Sequence, residues 1–167
     1  MDQWKNMAKL FDLMRTMAGE MAESIPAEEF DTPRGDANSP KWILGHLALG
    51  MDFGLMLLGS PTPAIEAMMP KYGPESAGGA VGDDGRSRAD LLEHFRTVGD
   101  ELKAKVLAAD PAVFAEKQPT PFLAEELPTV GDLLAHVFTT HIALHMGQLS
   151  QIRRESGINS WYQIAGA

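Results

Sequence analysis

The chain has 167 residues, 44% of them hydrophobic and 22% charged, the profile of a globular fold with room for a core. Its net charge of −9 argues against a partner that displays a phosphate backbone, and no polybasic segment is present to meet a membrane surface. With no cysteine, disulfides, thiolate metal sites and a cysteine nucleophile are all excluded.

The length fits a single domain over 1–167. The opening MDQWKNMAKLFDLM lacks a basic stretch followed by a continuous apolar block, so no signal peptide is read there and a cytoplasmic protein is expected. A first helix is expected over 2–24, with Trp4, Met7, Leu10 or Phe11, Met14, Met17 and Met21 on one stripe. Pro26 ends it, and PAEEFDTPRGDAN has loop composition. Ser39-Pro40 then opens a second helix over 40–59, Ser as N-cap and Pro at the first helical position.

The inward stripe of that second helix is Ile43, His46 with Leu47, Gly50, Phe53 and Leu57, so His46 points toward the core. Gly45, Gly50 and Gly54 each weaken the helix by about 1 kcal/mol relative to Ala. Close approach of another helix or a ligand would account for them, and so would simple tolerance. Trp42 to Gly59 nears membrane-span length, but Asp52 near its middle would cost about 2.5–3.5 kcal/mol in a bilayer. It reads as a buried helix of a water-soluble fold.

Residues 60–86 are rich in Pro and Gly, and so long a connection suits a crossover between parallel neighbours. Ala64 to Met69 has the makings of a helical turn. Ser87 with Asp90 forms a capping-box pattern that opens a third long helix over 88–109, with Leu91, Phe95, Val98, Leu102 and Val106 as its stripe. His94 sits at the edge of that stripe and reads as structural or solvated. After the loop DPAVFAEKQPTPFLAEELP, Thr129 and Asp132 start the last helix, over 130–156, which closes at Arg153, Arg154 and Gly157. Its stripe runs Leu134, Phe138, His141, His145, Leu149, Ile152. Trp161 and Tyr162 are expected to pack the tail onto the bundle.

Four amphipathic helices with no alternating strand pattern predict an all-α four-helix bundle with long crossover connections. Within it, His141 and His145 are one turn apart on one face, and His46 faces inward from another helix. Histidines four apart can offer two nitrogens to one ion, and bundle metal sites are built from inward side chains of facing helices. The three histidines are therefore candidate ligands of a single ion.

The stretches SPKWILGHLA and DLLAHVFTTHIALHMGQLSQIRRESG make the chain resemble the DinB-like superfamily of metal-binding four-helix bundles, the second through an HxxxHxGQ signature and an Arg-rich helix end. The resemblance implies that His46, His141 and His145 are the metal ligands, with water in the remaining positions. His136 matches a common family histidine, but five residues of α-helix turn it about 140° from His141, off the ligand face. Gln148 matches the family's Gln and is a candidate to orient water or substrate, or simply to pack beside Gly147. The family's name, which refers to DNA damage, is no evidence of DNA binding.

Three neutral imidazoles with an open position suit a divalent ion such as Zn²⁺ or Ni²⁺ acting as a Lewis acid. Some relatives use a low-molecular-weight thiol, bacillithiol, mycothiol or glutathione, as transferases or isomerases. Two readings follow: a metal-dependent enzyme acting on a small molecule, either a thiol S-transferase or a hydrolase, and a non-catalytic helical module whose metal is structural or absent, a dimeric stress-response protein being one form of it. A homodimer is a candidate state in either case. The expected pocket walls are the 60–86 connection, Met51, Phe53 and Gln148.

Overall fold

The structure is a computed structural model that describes residues 2–160; Trp161 and Tyr162 lie outside the described residues. The chain is all-helical, and among the described residues the one pairing of extended backbone is an isolated bridge between Lys117 and Thr129. Helix α1 spans Asp2–Ser24, α2 Pro40–Leu57, α3 Ala64–Tyr72, α4 Arg88–Ala108, α5 Val130–His136 and α6 Ile142–Glu155. A π-helical turn, Val137–His141, joins α5 to α6 without a break.

Local chemistry sets these boundaries. The Ser39 side chain accepts from the Trp42 amide and Pro40 takes the first helical position. Full capping boxes, Ser87 with Asp90 and Thr129 with Asp132, start α4 and α5. Gly59 and Gly157 follow the ends of α2 and α6 with φ of 71° and 76°, the left-handed conformation in which a Cβ is disfavoured.

The direction of the helices follows from who touches whom. Phe11 stacks on Phe138 at 4.1 Å and Arg153 Nε donates to Ser24 Oγ, so α1 and α6 run parallel. Arg88 donates to the Ile25 carbonyl and Lys103 to Asp12, so α4 runs against α1. The α2 helix runs against α6, because Gly54 faces Leu134 while Trp42 lies 6.0 Å from His145. Hence α2 and α4 are parallel, as a 30-residue-scale crossover permits.

The α4 stripe is buried throughout, and in α6 Leu149 and Ile152 are buried as the periodicity requires. On α1 the stripe takes Phe11; Leu10 is 53% exposed. The crossover differs from expectation in carrying a nine-residue helix, α3, rather than a single turn, with Pro70 inside it. Its Tyr72 is fully buried, and the ring lies where a Cβ on Gly45 would stand, 2.2 Å away. Glycine at 45 is what lets α3 lie flat on α2.

No helix among the described residues is long and apolar enough to cross a membrane. Asp52, the charge that argued against a span, is fully buried and bonded: it accepts from Thr62 Oγ1 at 2.6 Å and pairs with His94 Nε2 at 2.7 Å. That pair ties α2, the start of the crossover and α4 together, which gives His94 a structural place.

Candidate metal centre

His46 of α2, His141 of the π-turn and His145 of α6 come together between two antiparallel helices. Their ring centroids form a nearly equilateral triangle, 5.0 Å from His46 to His141 and 4.9 Å for each of the other two pairs. One ring nitrogen from each lies within 4.8 Å of the other two, and among the described residues this is the one such cluster of three. The approach of His141 depends on Gly50, whose absent Cβ would stand 2.9 Å from His141 Cε1.

Two of the rings are held in a defined tautomer. His46 Nδ1 lies 2.7 Å from the Tyr72 carbonyl, which can only accept, so Nδ1 carries the hydrogen and Nε2 presents its lone pair. His145 Nδ1 donates to Gln148 Oε1 at 2.9 Å, again leaving Nε2 as the free nitrogen. Outer partners of this kind fix ring orientation in metal sites. The Trp42 ring stacks on His46 at 4.4 Å, and its Nε1–H is anchored on Ser76 Oγ at 2.9 Å.

Burial keeps these imidazoles uncharged. Desolvation, opposed by the hydrogen bond to Tyr72 and reinforced by His145, pulls His46 down to about 4. His141 is drawn to about 2 by desolvation and by the surrounding histidines, and His145 is also lowered, chiefly by desolvation. Three neutral nitrogens at one point are a donor set, since a metal ligand must be deprotonated.

The spacing fits an ion. Two nitrogens bound to one zinc ion at about 2.0–2.1 Å and a tetrahedral angle lie about 3.3 Å apart. His46 Nε2 and His141 Nε2 are 3.0 Å apart. At that distance they share either one proton or one cation.

Gln148, singled out as a residue to orient water or substrate, makes its contact with His145. Met51 belongs to the hydrophobic core and Phe53 is half-buried. The crossover reaches the centre through the Tyr72 carbonyl. His136 sits differently from what α-helical spacing implies. It does not join the three converging nitrogens, but the angle assigned to it assumed α geometry. A π-turn, with its i→i+5 hydrogen bonds, is wound more loosely than an α-turn, and it brings the His136 and His141 rings to a centroid distance of 5.5 Å. His136 Nδ1 is held by Thr140 Oγ1 at 2.6 Å. The Trp42 contact was open to sequence reading, because Trp42 lies one turn before His46 on the same face. The Tyr72 contact had no sequence signal, since any residue supplies a carbonyl.

An all-helical bundle that gathers three neutral imidazoles from two facing helices is a bundle with a candidate metal centre. A model of the DinB superfamily matches residues 10–149, and the chain belongs to that superfamily. No curated protein and no solved structure shows significant similarity to it.

Proposed function

We propose that the protein is a metal-dependent enzyme acting on a small molecule, with His46, His141 and His145 holding one divalent ion, zinc or nickel. The observation that carries this reading is the three-histidine cluster with two tautomers locked and no fourth carboxylate, histidine or cysteine in it among the described residues. Structural zinc sites are closed by four protein ligands, whereas catalytic sites keep a position open. When bound, such an ion supplies Lewis acidity, which lowers the pKa of a coordinated water or thiol.

The chain's own part is to hold the ligands. Tyr72 and Gln148 fix two rings, Trp42 shields the His46 face, and burial excludes the protons that would compete with the ion. A thiol S-transferase suits the site, because the thiol would come from outside a chain with no cysteine. A hydrolase remains the second enzymatic form. Asp52, the one carboxylate of α2, is occupied by Thr62 and His94 and serves neither.

The test is a thiol titration of the metal-loaded protein. Bacillithiol, mycothiol or glutathione should release a proton on binding, and should not do so with His145→Ala. Cobalt in place of the native ion should add a sulfur-to-metal absorption band. If all three thiols leave both signals unchanged, the transferase form is excluded, leaving the hydrolase and a non-catalytic module.

A further inference from the structure

The loop before α5 is built in a way that its length does not require. The bridge between Lys117 and Thr129 closes it at the base, where Gln118 N donates to the Pro128 carbonyl at 3.0 Å. The Gln118 side chain fills the interior, 3% exposed: its Nε2 donates to the Phe122 carbonyl at 2.7 Å and its Oε1 accepts from Thr120. Leu127 N donates to the Leu123 carbonyl at 2.7 Å. Both carbonyls at the tip are therefore pinned.

What the loop pins is apolar and outside. Phe122 is 51% exposed and Leu123 36%, and Leu123 has φ of 48°, a left-handed conformation unusual for a branched side chain. Single exposed apolar residues are ordinary. Two adjacent ones, fixed by a buried amide on a strained backbone, are the kind of outlier that marks a ligand contact. The position of Phe122 agrees. The Phe122 ring lies 6.5 Å from His136, and His136 lies 5.5 Å from His141. A row of rings leads from the loop tip to the candidate metal centre.

We propose that Phe122 and Leu123, with the face of His136, form the substrate wall of that centre, and that the substrate carries a flat apolar group beyond its metal-binding end. This rests on the metal reading above. The loop holds the wall in place before substrate arrives, so little ordering is needed on binding. The π-turn is part of the device, because it carries His136 round to the His141 side.

A matched pair of probes separates the two claims. Acetohydroxamate and benzohydroxamate share one metal-binding head and differ by methyl against phenyl. Titrated calorimetrically into the zinc- or nickel-loaded protein, benzohydroxamate should bind roughly threefold to tenfold tighter, as expected for one aromatic contact. Phe122→Ala should abolish that preference while leaving metal content and acetohydroxamate affinity unchanged. Leu123→Gly, which relieves the backbone, should keep the fold and reduce the preference. A phenyl preference that survives Phe122→Ala, or is missing from the native protein while acetohydroxamate binds, overturns the wall and leaves the metal centre standing. A protein that loads no ion and binds neither probe overturns both.

Discussion

Gly50→Ala tests the centre through a methyl group that touches no ligand nitrogen directly. The added Cβ would stand 2.9 Å from His141 Cε1 and 3.3 Å from Nδ1, about 0.5 Å inside the 3.4 Å at which ordinary contact begins. Either the ring tips or α2 backs away from the π-turn. Metal–nitrogen distances tolerate about 0.2 Å, so the required shift exceeds what coordination allows. Overpacking a core costs about 1–3 kcal/mol, but replacing a mid-helix Gly by Ala returns about 1 kcal/mol. Net stability of the metal-free protein should thus fall by no more than about 2 kcal/mol. Metal affinity should fall at least as far as in outer-partner mutants, roughly 10–100-fold. Zinc competition against a chromogenic chelator reads the affinity, and thermal unfolding in EDTA reads the stability. Gly147→Ala is the control: it sits on α6 with open space where its Cβ would go, and should leave affinity unchanged. Equal metal affinity in Gly50→Ala and native protein would show that His141 is not a ligand.

Acid should weaken the metal-free protein in a defined window. The folded pKa of His46 is depressed to about 4 from 6.5, so between those values the unfolded chain binds a proton that the folded one refuses. Its stabilising contribution is full above pH 6.5, falls as pH drops, and is gone by about pH 4, a loss of up to about 3 kcal/mol. Urea midpoints at pH 5 and 7.5 in EDTA measure it, and His46→Asn should reduce the difference without abolishing it, because His141 and His145 are depressed by the same burial. Separately, His94→Ala removes one of the two partners of the fully buried Asp52 carboxyl and should cost about 1–3 kcal/mol, with metal stoichiometry unchanged; loss of metal would place the pair in the site. Finally, a net charge of −9 predicts no meaningful duplex DNA affinity at physiological salt. Submicromolar, salt-dependent shifts in a gel would contradict that.

The bundle was legible because its signals are local. Ser39-Pro40, Ser87 with Asp90 and Thr129 with Asp132 cap their own helices, and helical periodicity alone turned His46, His141 and His145 inward. What stayed hidden depends on distant partners. Whether Leu10 or Phe11 enters the core is settled by Phe138, on another helix. The extent of α3 past Pro70 is set by Tyr72 packing into Gly45. The π-turn shifts register by less than any periodicity count resolves. Its sequence VFTTH holds three β-branched residues, poor helix formers that hint at irregularity without naming its form. For that reason the closeness of the His136 ring to His141, and with it the row of rings toward Phe122, could not be read from spacing.

If His46, His141 and His145 hold one ion, the metal content of the protein reports it. Protein produced without a histidine tag, dialysed at neutral pH and measured by elemental mass spectrometry, should carry about one equivalent of zinc or nickel per chain. His46→Ala, His141→Ala and His145→Ala should each lose most of it while remaining folded by circular dichroism. Full occupancy in all three variants, or no divalent metal in a native protein supplied with zinc and nickel, would show that these histidines hold no ion.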